Sequence, residues 1–175
     1  LPQHLPQATN MTAKELIAMG RYAWNGLFGR ETEADKQAIA RALKLTHTEN
    51  FADQLVDTLS GGERSRIWLA MLLAQESQFL LLDEPLAALD IAHQVEVMQL
   101  VHRLSRELNL GVIIVIHDIN LASRFCDHLV ALHSGKLLAQ GNAHNIVNTP
   151  SLQQIYGIEL NVIEHPETHR PVSFY

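Results

Sequence analysis

Cysteine is almost missing from this chain: Cys126 is the only one. A single thiol cannot form an internal disulfide, which fits a reducing compartment. Cys126 reads as a small hydrophobe on an apolar helix face rather than as a nucleophile. Long apolar runs are missing too. The longest, Ile67–Ala74, is less than half of the ~18 residues that would mark a membrane span. No basic, apolar leader is present, so nothing points to secretion. Basic excess is lacking: the formal charge is −6, which argues against a nucleic-acid footprint. The ten histidines are scattered. His165 and His169 have i, i+4 spacing, but Pro166 works against a helical pairing there, and no zinc-like ligand set emerges. No internal repeat or low-complexity tract is visible.

What is present is organised around two stretches. The 175 residues, 47% of them apolar, suit one domain with a sizeable core. Leu59-Ser60-Gly61-Gly62-Glu63 reads as a loop that opens a helix. Ser60 is a good N-cap, and Glu63 three residues on completes a capping box. The two glycines let another molecule approach the bare backbone, and a helix N-terminus of this kind suits a phosphate. The second stretch, Phe79-Leu80-Leu81-Leu82-Asp83-Glu84-Pro85, reads as a buried apolar strand ending in two adjacent carboxylates. α/β proteins place ligand chemistry at that end of a strand.

The rest of the chain supplies a frame. Thr12 with Glu15 makes another capping box, for a short helix through about Met19. Gly20–Arg30 reads as a loop. Thr32 caps a helix carrying Ala38, Ile39, Ala42, Leu43 and Leu45. Asn50–Thr58 reads as a short helical turn and a linker. The helix after Ser60 is apolar on most sides, and such a helix is buried. Phe79–Leu82 is too short for a helix and reads as a central parallel strand. From Asp90 to about Leu108 the stripe of Ile91, Val95, Met98, Val101, Leu104 and Leu108 predicts an amphipathic helix. Val112–Ile116 is a second buried strand, and Ile119–Cys126 a short helix. Leu129–Leu132 and Lys136–Ala139 around Ser134-Gly135 predict a hairpin, expected as an antiparallel addition to the sheet. Two short helices around Pro150 and a tail with Pro166 and Pro171 complete the chain. Strand–helix alternation predicts an α/β layered domain with a mostly parallel sheet.

In this order, and joined by one helix length, the two stretches resemble the ABC-type ATPase family. Leu59–Glu63 is similar to its signature motif, and Leu80–Glu84 to its Walker B strand with the catalytic glutamate. Gln3 resembles the Q-loop glutamine, Ala88-Leu89-Asp90 the D-loop, and His117-Asp118 the switch-histidine loop. The resemblance covers Leu1 to Tyr175. It implies a P-loop NTPase-like layered domain with an inserted helical subdomain, which begins at residues 11–58 and continues through the signature helix to about residue 77. A catalytic α/β core over 78–140 and C-terminal helices and tail over 141–175 would follow. The chain starts at Leu1 and contains no G-x-x-x-x-G-K-[ST]. It is therefore expected to be the C-terminal part of a longer ATPase, with the N-terminal part of the fold missing, and inactive in hydrolysis by itself.

Phosphoryl transfer to water needs a metal, an oriented water and donors around the γ-phosphate. Asp83, at a strand end, suits Mg²⁺ held through water; its plainer role is to cap the next turn. Glu84 should point away from Asp83 because strand side chains alternate. The resemblance makes it the general base, against a solvated loop carboxylate. His117 ends the second strand and by resemblance contacts the γ-phosphate, although a lone histidine is more often structural. Asp118 serves equally as an N-cap. Gln3, carried on resemblance, would sense nucleotide and ligate Mg²⁺. Ser60, Gly61 and Gly62 would bind ATP across a head-to-tail pair of ATPase domains, with Asp90 near that interface, as an N-cap, or both. Two departures from the family pattern stand out: Arg64-Ser65-Arg66 follows the signature, and Leu86-Ala87 follows Pro85.

Asp90-Ile91-Ala92-His93-Gln94 and Gly20-Arg21-Tyr22-Ala23-Trp24 are similar to importers of iron–siderophore complexes and vitamin B12. Ile155-Tyr156-Gly157-Ile158 and the ending Pro171–Tyr175 look closest to ferric-hydroxamate importer ATPases. The resemblance implies ATP and Mg²⁺ as cofactors, and an ATPase homodimer at the cytoplasmic face of the cell membrane. It also implies a transmembrane permease contacted through residues 11–58, and a substrate-binding protein outside. No nucleic-acid partner is expected. A soluble ABC-type ATPase acting on nucleic acid or ribosomes, and a non-catalytic partner-binding fragment, are the competing readings.

Overall fold

The computed structural model describes residues 1, 6, 8–26, 30–87 and 89–175. Gln3 and Ala88 lie outside the described residues, as do Leu27 and Phe28, which with Trp24 are expected to offer the permease an apolar contact. The chain divides into two compact units, Leu1–Val115 and Ile116–Tyr175.

Capping chemistry sets the helices of the first unit. α1 (Ala13–Met19), α3 (Glu33–Thr46) and α4 (Gly61–Ala74) each begin with a closed capping box, formed by Thr12 with Glu15, Thr32 with Asp35, and Ser60 with Glu63. Each box satisfies two N–H groups that have no partner inside the helix. Helix α4 is the axis of the unit, packed against α1 and α3. Leu16, Ile17, Ile39, Ala42, Leu43, Val56, Ile67 and Ala70 are buried around it. Gly20 ends α1 hard against α4: a Cβ there would lie 2.2 Å from the Met71 carbonyl oxygen. Only a residue without a side chain permits that approach.

Gly20–Arg30, expected as a loop, contains one helical turn, α2 (Tyr22–Asn25). Its anchor is Arg21, a buried cation. Arg21 Nε donates to Asp35 Oδ1, and Nη1 donates to the Ala74 carbonyl and to Glu76 Oε2, each at 2.8 Å. Asn25 Nδ2 donates to Asp35 Oδ2 at 2.9 Å, and the Trp24 indole donates to the Gln75 carbonyl at 3.0 Å. The start of α3, the end of α4 and the turn of α2 are thus tied to one guanidinium.

After α4 the chain enters β1 (Phe79–Asp83), continues through α5 (Ile91–Glu107), and returns in β2 (Gly111–Val115). β1 and β2 pair in parallel, Phe79 opposite Gly111 through Asp83 opposite Val115. On the other edge of β1 the Asp83 N–H donates to the Leu1 carbonyl at 2.9 Å, so β1 has neighbours on both sides, as expected of a central strand. Its burial differs from expectation. Leu80 and Leu82 are buried, but Phe79 and Leu81 are each 66% exposed, as are Ile113 at 62% and Val115 at 46%. One face of the pair is covered and the other is open, so burial follows the period-2 alternation of the pleat. Ile91, placed on the buried stripe of α5, is 80% exposed; Val97 and Leu100 are buried with Met98, Val101 and Leu104 instead.

The second unit starts with α6 (Ile119–Phe125), then a hairpin of β3 (Leu129–His133) and β4 (Lys136–Gly141). Ser134 and Gly135 turn it with positive φ angles of 49° and 74°, the backbone that a two-residue hairpin turn requires. This hairpin forms its own two-stranded sheet instead of extending the parallel pair. α7 (Ala143–Ile146) and α8 (Thr149–Tyr156) follow, with Pro150 in the first turn of α8, where its missing N–H costs nothing. The tail is no mere extension: β5 (Asn161–Glu164) and β6 (Pro171–Phe174) form a second hairpin. Ser123 Oγ donates to the Pro171 carbonyl at 2.6 Å, and Asn120 both donates to the Ser173 carbonyl and accepts its N–H. Those bonds hold the tail to α6. Ala122, Leu129, Ile146, Leu152 and Leu160 form the core. Cys126 is half-buried and packs against it; burial pushes its thiol pKa up, consistent with a packing role.

The Thr32 hydroxyl, and next the Arg21 guanidinium, hold the Asp35 carboxyl far below the ordinary carboxylate range. A depressed native pKa stabilises the fold above the unfolded value of about 4 and is lost as pH falls toward the native one. The urea midpoint should therefore drop on acidification below about pH 4. Asp35→Asn should be less stable at pH 7 and show a shallower acid slope; unchanged slopes in paired urea titrations would refute this.

Candidate functional site

The N-terminus of α4 is closed by Ser60. Its N–H donates to Glu63 Oε2 at 2.8 Å, its hydroxyl donates to the same oxygen at 2.7 Å, and the Glu63 N–H donates back to Ser60 Oγ at 3.4 Å. These two Ser60 bonds lower the Glu63 pKa, so the box is closed and ionised at neutral pH. Gly61 and Gly62, in the first turn, have N–H groups without partners inside the helix. Gly62 is buried because α5 comes close: a Cβ on Gly62 would meet the His93 ring, 2.4 Å from Cδ2.

His93 is in turn fixed by Asp90, the N-cap of α5. Asp90 Oδ1 accepts from the His93 N–H at 2.9 Å and contacts His93 Nδ1 at 2.8 Å. The N-cap role expected as one option for Asp90 is therefore filled. The turn before it is held by Gln94, whose side-chain amide donates to the carbonyls of Leu86 (3.2 Å) and Leu89 (3.0 Å). Leu86, first residue of the departure after Pro85, is buried, which gives an apolar side chain at that position a packing role.

Asp83 is the exposed last residue of β1. Glu84 is half-buried, and its N–H donates to the Val115 carbonyl at 3.1 Å, one step beyond the ladder. Its φ is +44°, a left-handed backbone uncommon for a residue with a side chain. Strand alternation, expected to separate the two carboxylates, thus stops at Asp83; the left-handed turn redirects Glu84. Strain of this kind collects at functional sites.

His117 belongs to the second unit. It is exposed, and its carbonyl accepts from the Tyr156 hydroxyl at 3.2 Å. Asp118 caps α6, accepting from the N–H groups of Asn120 and Leu121 at 2.8 and 3.0 Å. Within the first unit, the end of β1 carries Asp83, the β1–α5 connection carries Glu84 and Asp90, and His93 brings Asp90 against the Ser60-Gly61-Gly62 turn. A cleft of about 390 Å³ at the opposite end of α4, lined by Arg41, Leu45, Leu73, Glu76, Leu80 and Glu107 among others, contains none of these residues. Among the described residues no cluster of three or more metal-ligating side chains occurs. A lone hard oxygen donor such as Asp83 fits an ion that keeps its waters and shares phosphate ligands, as Mg²⁺ does.

A family model for ABC transporters matches residues 1–87. Ferric enterobactin transport ATP-binding protein FepC of Escherichia coli is 42% identical over 172 residues, 98% of this chain and 64% of the relative. The chain is similar to the ATP-binding proteins of ABC transporters. Iron(3+)-hydroxamate import ATP-binding protein FhuC of Bacillus subtilis is 38% identical, with the same coverage. The chain thus spans 64% of the length of either relative. A metal-chelate type ABC transporter solved in an inward-facing conformation superposes with a TM-score of 0.90 at 25% identity, over all of this chain and 71% of that one. The ABC ATPase fold, a P-loop NTPase architecture, is the fold expected from the sequence. Among the described residues no helix is long and apolar enough to cross a membrane.

His93 is the contact that sequence reasoning passed over. Its signal was present: three residues after Asp90, it occupies the position where a capping box carries its second partner.

Glycine adopts the backbone of Glu84 without strain, whereas an L-residue spends roughly 1 kcal/mol on it. Glu84→Gly should therefore raise unfolding free energy by about that amount relative to Glu84→Ala. Equal urea midpoints for the two variants would show that the turn carries no strain.

Proposed function

We propose that this chain is the ATP-hydrolysing part of an ABC importer, driving uptake of an iron(III)–siderophore of the hydroxamate type across the cytoplasmic membrane. The observation that carries the proposal is Glu84, half-buried and turned by a left-handed backbone, directly after Asp83 at the carboxyl end of a parallel strand. The names of the relatives, transport proteins for ferric enterobactin and iron(3+)-hydroxamate, support the cargo class. The cargo never meets the ATPase, so its identity rests on those relatives and not on any side chain here.

In this reading Glu84 is the general base. It takes a proton from water as the water oxygen bonds to the γ-phosphorus and the bond to the bridging oxygen breaks, leaving ADP and phosphate. Asp83, with Gln3, would hold Mg²⁺, which offsets phosphate charge when bound. His117 contacts the γ-phosphate. Ser60, Gly61 and Gly62 offer their helix N-terminus to ATP held by a second copy, with Asp90 alongside. The importer places this chain as a peripheral subunit on the cytoplasmic face of the membrane, paired with a second ATPase domain beneath a permease and served by a substrate-binding protein outside. The formal charge of −6 supports a partner set without nucleic acid.

The segment over residues 11–58, the start of the helical subdomain, is the proposed docking element. Met19, Tyr22 and Trp24 are each more than half exposed and neighbour one another in sequence around α2. Trp24 is anchored through its indole N–H, with its ring 5.1 Å from the Arg21 guanidinium, so it offers a fixed apolar face, the kind that marks protein contacts.

In the full-length gene product, Glu84→Gln should retain ATP binding while turnover falls about 100-fold or more, because the amide keeps the shape but takes no proton. Near-normal steady-state hydrolysis would remove Glu84 from this role. A Tyr22→Cys variant should cross-link to the permease in membranes; consistent absence of cross-links from the α2 turn would reject docking there.

A further inference from the structure

The side chain of His93 touches two elements that the proposed mechanism treats separately. Nδ1 contacts Asp90 Oδ1 at 2.8 Å, and because a carboxylate oxygen only accepts, Nδ1–H is the donor. The opposite edge of the ring fills the space that a side chain on Gly62 would need, 2.4 Å from the ideal Cβ position to Cδ2 and 3.1 Å to Cγ. The imidazole is therefore a wedge, bonded to the D-loop carboxylate on one side and seated on the first turn of α4 on the other.

We propose that His93 is a positioning residue that locks the Ser60-Gly61-Gly62 turn to Asp90, so that signature and D-loop reach a second ATPase domain as one rigid surface. The inference rests on the function proposed above and adds a residue to it. Three observations favour orientation over stability as its purpose. The His93 and Asp90 side chains are 41% and 66% exposed, and an exposed pair contributes little to folding. Asp90 already caps α5 through the His93 backbone N–H, so the ring is not needed to start that helix. Gly62 lies in an ordinary helix, where any side chain is conformationally permitted; what excludes one is the ring itself. A methyl on Gly62 would have to shift the His93 ring from this seat.

The test uses the full-length gene product with His93→Ala and His93→Asn, and with Glu84→Gln as control. Asparagine keeps a donor that reaches Asp90 but lacks the ring edge that lies on Gly62. Melting temperatures of both variants should stay within about 3 °C of the parent, as for loss of an exposed pair. His93→Ala should lower kcat about tenfold with KM for ATP changed less than about twofold, the signature of a loss after binding. His93→Asn should recover part of that rate. In a His93→Ala background, adding Gly62→Ala should lower kcat by less than it does in the parent, since the displaced ring is already gone. Full kcat in His93→Ala overturns the proposal, as does a raised KM at constant kcat. A His93→Asn variant no faster than His93→Ala, or strict additivity with Gly62→Ala, also overturns it. If His93→Ala does not fold, the ring is structural and the proposal fails by that route. Persistent hydrolysis in Glu84→Gln defeats the underlying function; silent Glu84→Gln beside fully active His93→Ala defeats only the lock.

Discussion

A buried guanidinium cannot be left alone. Removing a charge from water costs several kcal/mol, which must be offset by partners. Arg21 finds them in Asp35, Glu76 and the Ala74 carbonyl, and each partner belongs to a different part of the helical unit. Asp35 caps α3, Ala74 closes α4, and Glu76 begins the connection to β1. The α2 turn exists because Arg21 and Asn25 converge on the same carboxylate. The arrangement leaves little slack: shift any one of these segments and a charge is stranded. Hydrophobic burial along α4 supplies the driving force, but it is non-directional. The arginine fixes where the helix ends meet.

Local chemistry was the most legible part of this chain. The Thr12, Thr32 and Ser60 caps declare their helices because a side-chain oxygen at that spacing satisfies stranded N–H groups and few other residues can. The β1 strand and the Ser134-Gly135 hairpin were legible for similar reasons. What the residues hid was tertiary. Leu81 and Ile113 look like core residues, yet face outward, because apolar character alone does not say how many layers cover a sheet. The prolines of the tail disguise its hairpin: Pro171 opens β6, where a missing donor is tolerated.

The site divides the same way. Asp83, Glu84 and Ser60 are candidates by position alone: carboxylates at a strand end, a hydroxyl at a helix start. The left-handed backbone of Glu84 does not show in its identity, since glutamate has no preference for that region. Gly62 looked like an opening for an outside molecule. The structure gives its missing side chain an internal reason as well, because the space is taken by His93.

Helix α4 has the Ser60 turn at one end and the Arg21 cluster at the other. Its 14 residues make a rod of about 21 Å. Such a rod does not absorb displacement along its length; it behaves as a lever. A tilt of about 5° with the Arg21 end as fulcrum moves the Ser60 end by roughly 2 Å, two-thirds of a hydrogen-bond length. A rotation of that size imposed on the Arg21 end would displace the far tip by enough to make or break a hydrogen bond there.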